Sequence, residues 1–183
     1  PIALSRVAEF ATRSLKSFWM VLEFSQVTIR AASLADVPAL LPMIEKICAL
    51  HQAWDAAKYG FLPEPGKRYK GWLRSQIKDD RSLVLVAETQ SGLVGFLIAT
   101  EEQEIPIYQL QSFGFVHDLW VEPEYRQQGI AQGLVQRTIE HFRQIGVEQI
   151  RLDVAIANQV AMALFQSCGF RPSTQEMLIL LKD

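Results

Sequence analysis

The sequence is short of the residues that announce disulfides, nucleic-acid contacts or membrane spans. It holds two cysteines, Cys48 and Cys168. Two cysteines in apolar or helical contexts make no disulfide framework, which points to a reducing cytoplasm as the compartment. Both read as small buried hydrophobes. No bound metal is expected. Charge of one sign is also lacking: 18 basic and 20 acidic residues, mixed along the chain, leave a formal net charge of -2. That gives no electrostatic footprint for nucleic acid, so none is expected as a partner. The Gly-Lys-Ser/Thr of a Walker phosphate loop is missing. The apolar run Phe18 to Leu22 is far too short to span a bilayer, and no clean signal-peptide cleavage pattern follows it. A membrane protein is therefore not expected. Internal repeats and low-complexity tracts are absent as well.

What is present suits one soluble domain. The 183 residues are 49% apolar and 21% charged, enough to bury a core and ordinary for a globular chain. Residues 1–26 stand apart. Val7, Phe10, Ala11, Phe18, Val21 and Leu22 recur at helical spacing, with Arg6, Glu9, Arg13 and Lys16 on the other side. This predicts an amphipathic helix that packs on its own domain or on a second subunit. An interfacial anchor, or a dispensable extension with Met20 as an alternative start, are the other readings.

From residue 27 the pattern alternates strands and helices. Val27 to Arg30 reads as a strand, and Ser33 as the cap of a helix running through Leu40, Ile44 and Cys48. Pro42 is expected to distort that helix. An irregular aromatic stretch follows, then a helix over Lys67 to Lys78. Strands at Ser82 to Glu88 and Leu93 to Thr100 join through a hairpin turn at Gln90-Ser91-Gly92. Glu101 to Glu104 and Pro106 read as a longer loop. Gly114 to Val121 is a strand, Gln128 to Ile145 a helix ended by Gly146, and Gln149 to Ala155 a strand. Asn158 to Ser167 is a helix and Gln175 to Leu181 a last strand. The order β-α-α-β-β-β-α-β-α-β gives an α/β domain over residues 27–183 with a mixed sheet.

The stretch from His117 to Gly133 carries the chemistry. A strand ends, a turn follows, and a helix starts among small residues. The first turn of a helix leaves N–H groups unpaired at the positive end of its dipole, which suits phosphate where no side chain blocks the approach. Gly129 and Ala131 would clear it. A dinucleotide fold wants its glycines directly after the strand, and Glu122 to Gln127 intervene, although Asp153 lies at a tempting distance for the ribose acid.

Arg126-Gln127-Gln128-Gly129-Ile130-Ala131 matches the Arg/Gln-x-x-Gly-x-Gly/Ala signature of the GNAT acetyltransferases. Three further blocks resemble the same superfamily in the right order. They are Val86-Ala87-Glu88 with Leu93-Val94-Gly95-Phe96, His117 to Tyr125, and Asn158, Ala161, Leu164-Phe165 and Cys168-Gly169-Phe170. The resemblance covers Val27 to Leu181. It implies a mostly antiparallel sheet flanked by helices, with acetyl-CoA as co-substrate. By the same resemblance, Leu119, Trp120 and Val121 would offer strand backbone to the pantetheine arm. Arg126 would open the pyrophosphate loop, and Gln127, Gln128, Gly129, Ile130, Ala131 and Gln132 would wrap the phosphates. Asn158 would hydrogen-bond the pantetheine region, a role compatible with capping its helix. Phe165 would lie near the thioester.

The implied reaction is direct attack of a neutral amine on the thioester. His117 stands where related enzymes often carry a glutamate, and imidazole titrates near the working pH. It is the first candidate base, against the plainer reading of a structural strand histidine. Asp118 should point to the opposite face unless a bulge intervenes. It would orient His117, bind a cationic substrate, or be a satisfied buried acid. Phe165 departs from the family, where tyrosine is often held to protonate the leaving thiolate. Cys168, Tyr125 or water would have to replace it.

Substrate contacts in this fold come from the segment after the first helix and the loop before the fourth strand. Here these contain His51, Trp54, Asp55, Tyr59, Phe61 and Glu64, then Glu101, Glu102 and Glu104. An aromatic, acidic mouth suits a cationic amine of a small molecule or a peptide terminus; the alternative is a solvated acidic loop over ordinary core. Trp54, Asp55 and Tyr59 are the candidate acceptor contacts. The rival function is an acyl-CoA-binding module with little or no turnover, a sensor or assembly partner. A homodimer is the preferred assembly, through the N-terminal helix or the last strand.

Overall fold

Short runs rich in β-branched and apolar residues become five strands in the computed structural model, which describes residues 27–181. The N-terminal helix expected over residues 1–26 lies outside the described residues. In chain order the elements are β1 (Thr28–Ala31), α1 (Val37–Trp54), α2 (Pro65–Gln76), β2 (Ser82–Thr89), β3 (Gly92–Gln103), β4 (Ser112–Val121), α3 (Ile130–Gln144), β5 (Ile150–Leu152) and α4 (Gln159–Ser167). The sheet order is β1-β2-β3-β4-β5. β1 to β4 are antiparallel neighbours, and β5 runs parallel to β4.

Both faces of the central strands are covered, which is why their sequences read as near-continuous apolar runs rather than strict alternation. Val84, Val86, Phe96, Ile98 and Trp120 meet Leu40, Ile44, Ile47 and Leu73 on the α1–α2 side. Leu85, Leu97, Ala99, Val116 and Val121 meet Leu134, Val135, Phe142 and Phe165 on the α3–α4 side. Phe96 and Phe142 are fully buried, and each such side chain contributes roughly 1.5–3 kcal/mol by leaving water. Gly114 lets Phe142 seat on β4: a β-carbon there would stand 2.8 Å from the ring.

Several boundaries differ from expectation. α1 runs through Pro42 to Trp54, and its cap position is Asp36 rather than Ser33. The Asp36 carboxylate accepts from the Ser33 N–H and hydroxyl and from Arg30. Glu101 and Glu102 belong to β3, because β4 starts at Ser112 and extends the ladder that far.

The expected last strand at Gln175 to Leu181 does not form. β5 has only three residues and offers a short edge. Glu176 instead pairs with Lys58, in the loop after α1. Met177, Ile179 and Leu181 of this segment are 84%, 79% and 89% exposed.

Two irregularities shape the site. The β3–β4 register passes from Ile98 opposite Asp118 to Ala99 opposite Val116, so His117 is an extra residue in β4. Such a bulge turns one more side chain to the same face and increases the local twist. Secondly, β5 pairs only with Gly114 to Val116 of β4. Beyond Val116 the two parallel strands have no ladder between them.

Candidate active site

A cleft of about 80 Å3 opens where β4 and β5 part. One wall is β4, through Val116, His117 and Leu119. The other is the end of β5 and its loop, with Asp153 and Ala155, and the α4 residues Ala161 and Phe165, with Asn158 at its start. The end of α1 supplies His51, and the following loop Tyr59, whose rings lie 4.8 Å apart.

At the next stretch of chain, a single 3-10 turn over Pro123–Tyr125 leads into Arg126 and then α3. Gln127 and Gly129 both have positive φ, 59° and 79°. Successive N–H groups in such a turn converge toward one point and make an anion-binding concavity. Among the described residues the backbone N–H groups of Gln127 to Gln132 donate to no protein acceptor; the first bond of the helix is Gly133 N–H to the Gly129 carbonyl at 2.9 Å. The space above Gly129 is open: a β-carbon there would meet nothing within 4 Å. The free donors and the helix dipole fit the phosphates of a CoA-type cofactor. Arg126 turns back instead, its Nε donating to the Val121 carbonyl at 2.9 Å and its guanidinium lying 4.8 Å from the Trp120 ring. It braces the loop against β4.

His117 projects toward α2, edge-on to Trp72 at 5.2 Å and to Phe115 at 5.0 Å. Burial among these rings depresses its pKa from the ordinary imidazole value, while Asp118 and Glu102 partly restore it. The shift favours the neutral ring, the form able to take a proton. Because of the bulge, Asp118 points to the same side and accepts a hydrogen bond from the Tyr69 hydroxyl. Burial raises the Asp118 pKa, against the opposing effects of Tyr69, His117 and His51. Burial likewise depresses His51, which Asp118 raises. Asp118 thus sits behind two imidazoles of the cleft rather than on its wall. Cys48, beside it, is pushed up to about 11 by burial and by the neighbouring carboxylates, and is a poor nucleophile.

Asn158 caps α4, its Oδ1 accepting from the Ala161 N–H at 3.1 Å, and also lines the cleft. Phe165 is buried against Phe170 and brings no hydroxyl. Neither Cys168 nor Tyr125 lines the cleft, and the Tyr125 hydroxyl lies 3.4 Å from Ser91. Of the three candidate acceptor contacts, Tyr59 is on the wall. Trp54 does not line the cleft; its ring lies 5.5 Å from that of His51. Asp55 accepts from the N–H groups of Ala57 and Lys58 and holds its own turn. Of the three glutamates, Glu101 pairs with Arg81 and Glu104 with Arg151, leaving Glu102 turned to His117. Tyr69, Thr100 and Asp153 are site residues that sequence reasoning did not assign. No local signal marked them: Thr100 and Glu102 share a face only because the strand runs on past Thr100.

Residues 47–170 match the family model described as Acetyltransferase (GNAT) family. This chain belongs to the GNAT acetyltransferase family. The [ribosomal protein bS18]-alanine N-acetyltransferase of Escherichia coli is 35% identical over 147 residues, 80% of this chain and 82% of that protein. Human N-acetyltransferase 8 is 32% identical over 104 residues, 56% of this chain but only 44% of that protein's length. A predicted acetyltransferase from Clostridium acetobutylicum, solved with acetyl-CoA, superposes with a TM-score of 0.68 at 16% identity, covering 85% of this chain and 96% of the other. That likeness carries the fold. Among the described residues, no helix of this GNAT protein is long and apolar enough to cross a membrane.

Proposed function

We propose that this protein transfers an acetyl group from acetyl-CoA to a primary amine of a small molecule or peptide by direct attack. The observation that supports this most is the continuity of two features. Six unpaired N–H groups at the start of α3 lie beyond one end of β4, and the His117 cleft opens beside the same strand where β5 has left it.

The cofactor supplies an activated acetyl thioester, and the residues present do the rest. Backbone of Gln127 to Gln132 holds the phosphates. The free edge of β4 at Leu119 to Val121 receives the pantetheine arm, with Asn158 opposite. An alkyl amine is protonated in all but roughly one molecule in 10³ at neutral pH. The neutral fraction attacks: as the amine nitrogen bonds to the acetyl carbon its surplus proton passes to His117, and the carbon–sulfur bond breaks. Phe165 cannot protonate the departing sulfur; a thiol pKa near 8.5 lets it leave as thiolate, with water supplying the proton later. The acceptor enters past Tyr59, His51 and Asp153. The alanine specificity of the bacterial relative favours a peptide terminus among the candidates. The apolar segment Met177 to Leu181 and the edge of β5, unpaired among the described residues, favour a homodimer.

Thiol release from acetyl-CoA, measured against polyamines, amino acids, aminoglycosides and peptides with an N-terminal alanine, tests this reading. Amine-dependent release that His117→Ala abolishes, with CoA binding intact, is the expected result. Tight CoA binding without release by any amine would instead favour an acyl-CoA-binding module with little turnover.

A further inference from the structure

The hydroxyl of Thr100, buried on β3, has two polar partners. Its Oγ1 lies 2.6 Å from Glu102 Oε1 and 2.7 Å from His117 Nε2. A hydroxyl has one proton, and a carboxylate oxygen can only accept. The Thr100 proton therefore goes to Glu102, and the second contact is the His117 Nε2–H donating to Oγ1. The neutral ring is held as the Nε2–H tautomer, with its lone pair on Nδ1. Among the described residues Nδ1 has no hydrogen-bond partner, while the ring lines the cleft.

This contact exists because of the bulge. Thr100 and Glu102 are two apart on β3 and share a face. Without an extra residue in β4, His117 and Asp118 would project to opposite sides, and one of them would be lost from that face. The charged groups facing the ring are Glu102 from β3, with Oε1 3.7 Å from Nε2, and Asp118 from β4. α2 brings the uncharged Trp72 ring and, against Asp118, the Tyr69 hydroxyl. From α1, His51 faces Asp118.

We propose that Thr100 and Glu102 are positioning residues for His117, a Glu–Thr–His relay that fixes the base nitrogen as Nδ1. The idea rests on His117 acting as the base. As the amine nitrogen bonds to the acetyl carbon, its proton passes to Nδ1. The resulting imidazolium keeps its Nε2–H on Thr100, whose own proton stays on Glu102. Solvent later removes the proton from Nδ1, and neither Thr100 nor Glu102 changes its protonation. An orienting partner on the far nitrogen of a catalytic imidazole has this effect in other enzymes, where it sets tautomer and basicity together.

The test is nitrogen-detected NMR of the His117 ring in the full chain, with kinetics on the best amine of the panel. The expected wild-type spectrum shows a protonated Nε2 and a bare Nδ1. Thr100→Val, which keeps the shape, mixes the tautomers and lowers kcat about tenfold at unchanged KM for acetyl-CoA. Thr100→Ser restores both. Glu102→Gln, at a partly exposed site where folding is not at risk, lowers the imidazole midpoint by roughly half a pH unit. A wild-type ring protonated on Nδ1 overturns the relay, as does an unchanged tautomer and midpoint in both Thr100→Val and Glu102→Gln. The ring spectra decide the relay without any turnover. Activity that survives His117→Ala removes the base itself, a separate failure that the kinetics alone report.

Discussion

His117 and Asp118 are neighbours in β4, yet both project to the α1–α2 side of the sheet, toward Trp72 and Tyr69 of α2. The consequence is electrostatic. Asp118 raises the pKa of both cleft imidazoles while burial depresses them. A base works only when unprotonated, so activity rises with pH through the His117 midpoint, below the ordinary imidazole value. Asp118→Asn removes a negative charge that stabilises the imidazolium. The midpoint then drops further, by roughly one unit, and the acid limb of kcat/KM moves to lower pH. The pH profile of the variant checks this; an acid limb that stays put would detach Asp118 from the base.

Gly129 makes the second prediction. Its φ of 79° and the open space above it leave the N–H groups of α3 accessible. Gly129→Val adds a β-carbon to a left-handed backbone, at a cost of about 1–2 kcal/mol, and intrudes where phosphate would sit. Calorimetry of CoA binding should show roughly tenfold weaker affinity, with KM for acetyl-CoA rising in step and kcat changing little. Unaltered affinity would move the phosphates away from this turn.

Most of the strands and helices, and the turn that starts α3, were legible because each has a local signal. Period and caps marked the helices, and the small residues Gly129 and Ala131 marked the helix start. The relation of His117 to Asp118 was not legible, since a bulge depends on the register with β3 and no residue type announces it. The pairing of the glutamates was not legible for a similar reason. Arg81 and Arg151 are distant in sequence from Glu101 and Glu104, and the sheet brings them together. Gln175 to Leu181 has every local mark of a strand but no ladder to join, because β5 stops at Leu152. Pairing belongs to the partner as much as to the segment.

That unpaired segment predicts self-association. Met177 to Leu181 is apolar and exposed, and among the described residues β5 has an unpaired edge; such a pair is a template for joining another chain. Light scattering is expected to give twice the chain mass, and Ile179→Lys with Leu181→Lys to give the monomer. A wild-type chain that is monomeric at micromolar concentration removes the homodimer.

A stability prediction follows from Arg30. Its guanidinium holds both oxygens of Asp36 at 2.8 and 2.9 Å and reaches Glu88 at 2.8 Å, tying the β1–β2 edge to the start of α1. The Arg30 bonds, with those of Ser33, hold the Asp36 carboxyl far below the usual carboxylate range. A depressed carboxylate pKa stabilises the fold at every pH above the unfolded value, near 3.9. The contribution is lost as pH falls below that toward the folded pKa. Asp36→Asn should cost about 2 kcal/mol at neutral pH, a Tm lower by roughly 4–8 °C. The gap from wild type should hold from pH 8 to pH 5 and close below about pH 4. Thermal melts across that range check it; a gap that is constant to pH 2 would mean the loss is packing rather than charge.

Phe165 predicts the alkaline side of the rate profile. A phenol acting as general acid would lose its proton near pH 10 and bend kcat downward there. Phe165 has no proton to lose, and neither Cys168 nor Tyr125 lines the cleft to replace it. With a saturating amine, kcat should rise through the His117 midpoint and then stay level to pH 10. Phe165→Tyr inserts a hydroxyl on the cleft wall, so a falling limb near pH 10 is expected to appear, with kcat at pH 8 raised several-fold if sulfur protonation limits the wild type. A wild-type profile already bell-shaped would mean that another group supplies that proton. Tyr59, the phenol that does line the cleft, would then be the residue to replace with phenylalanine.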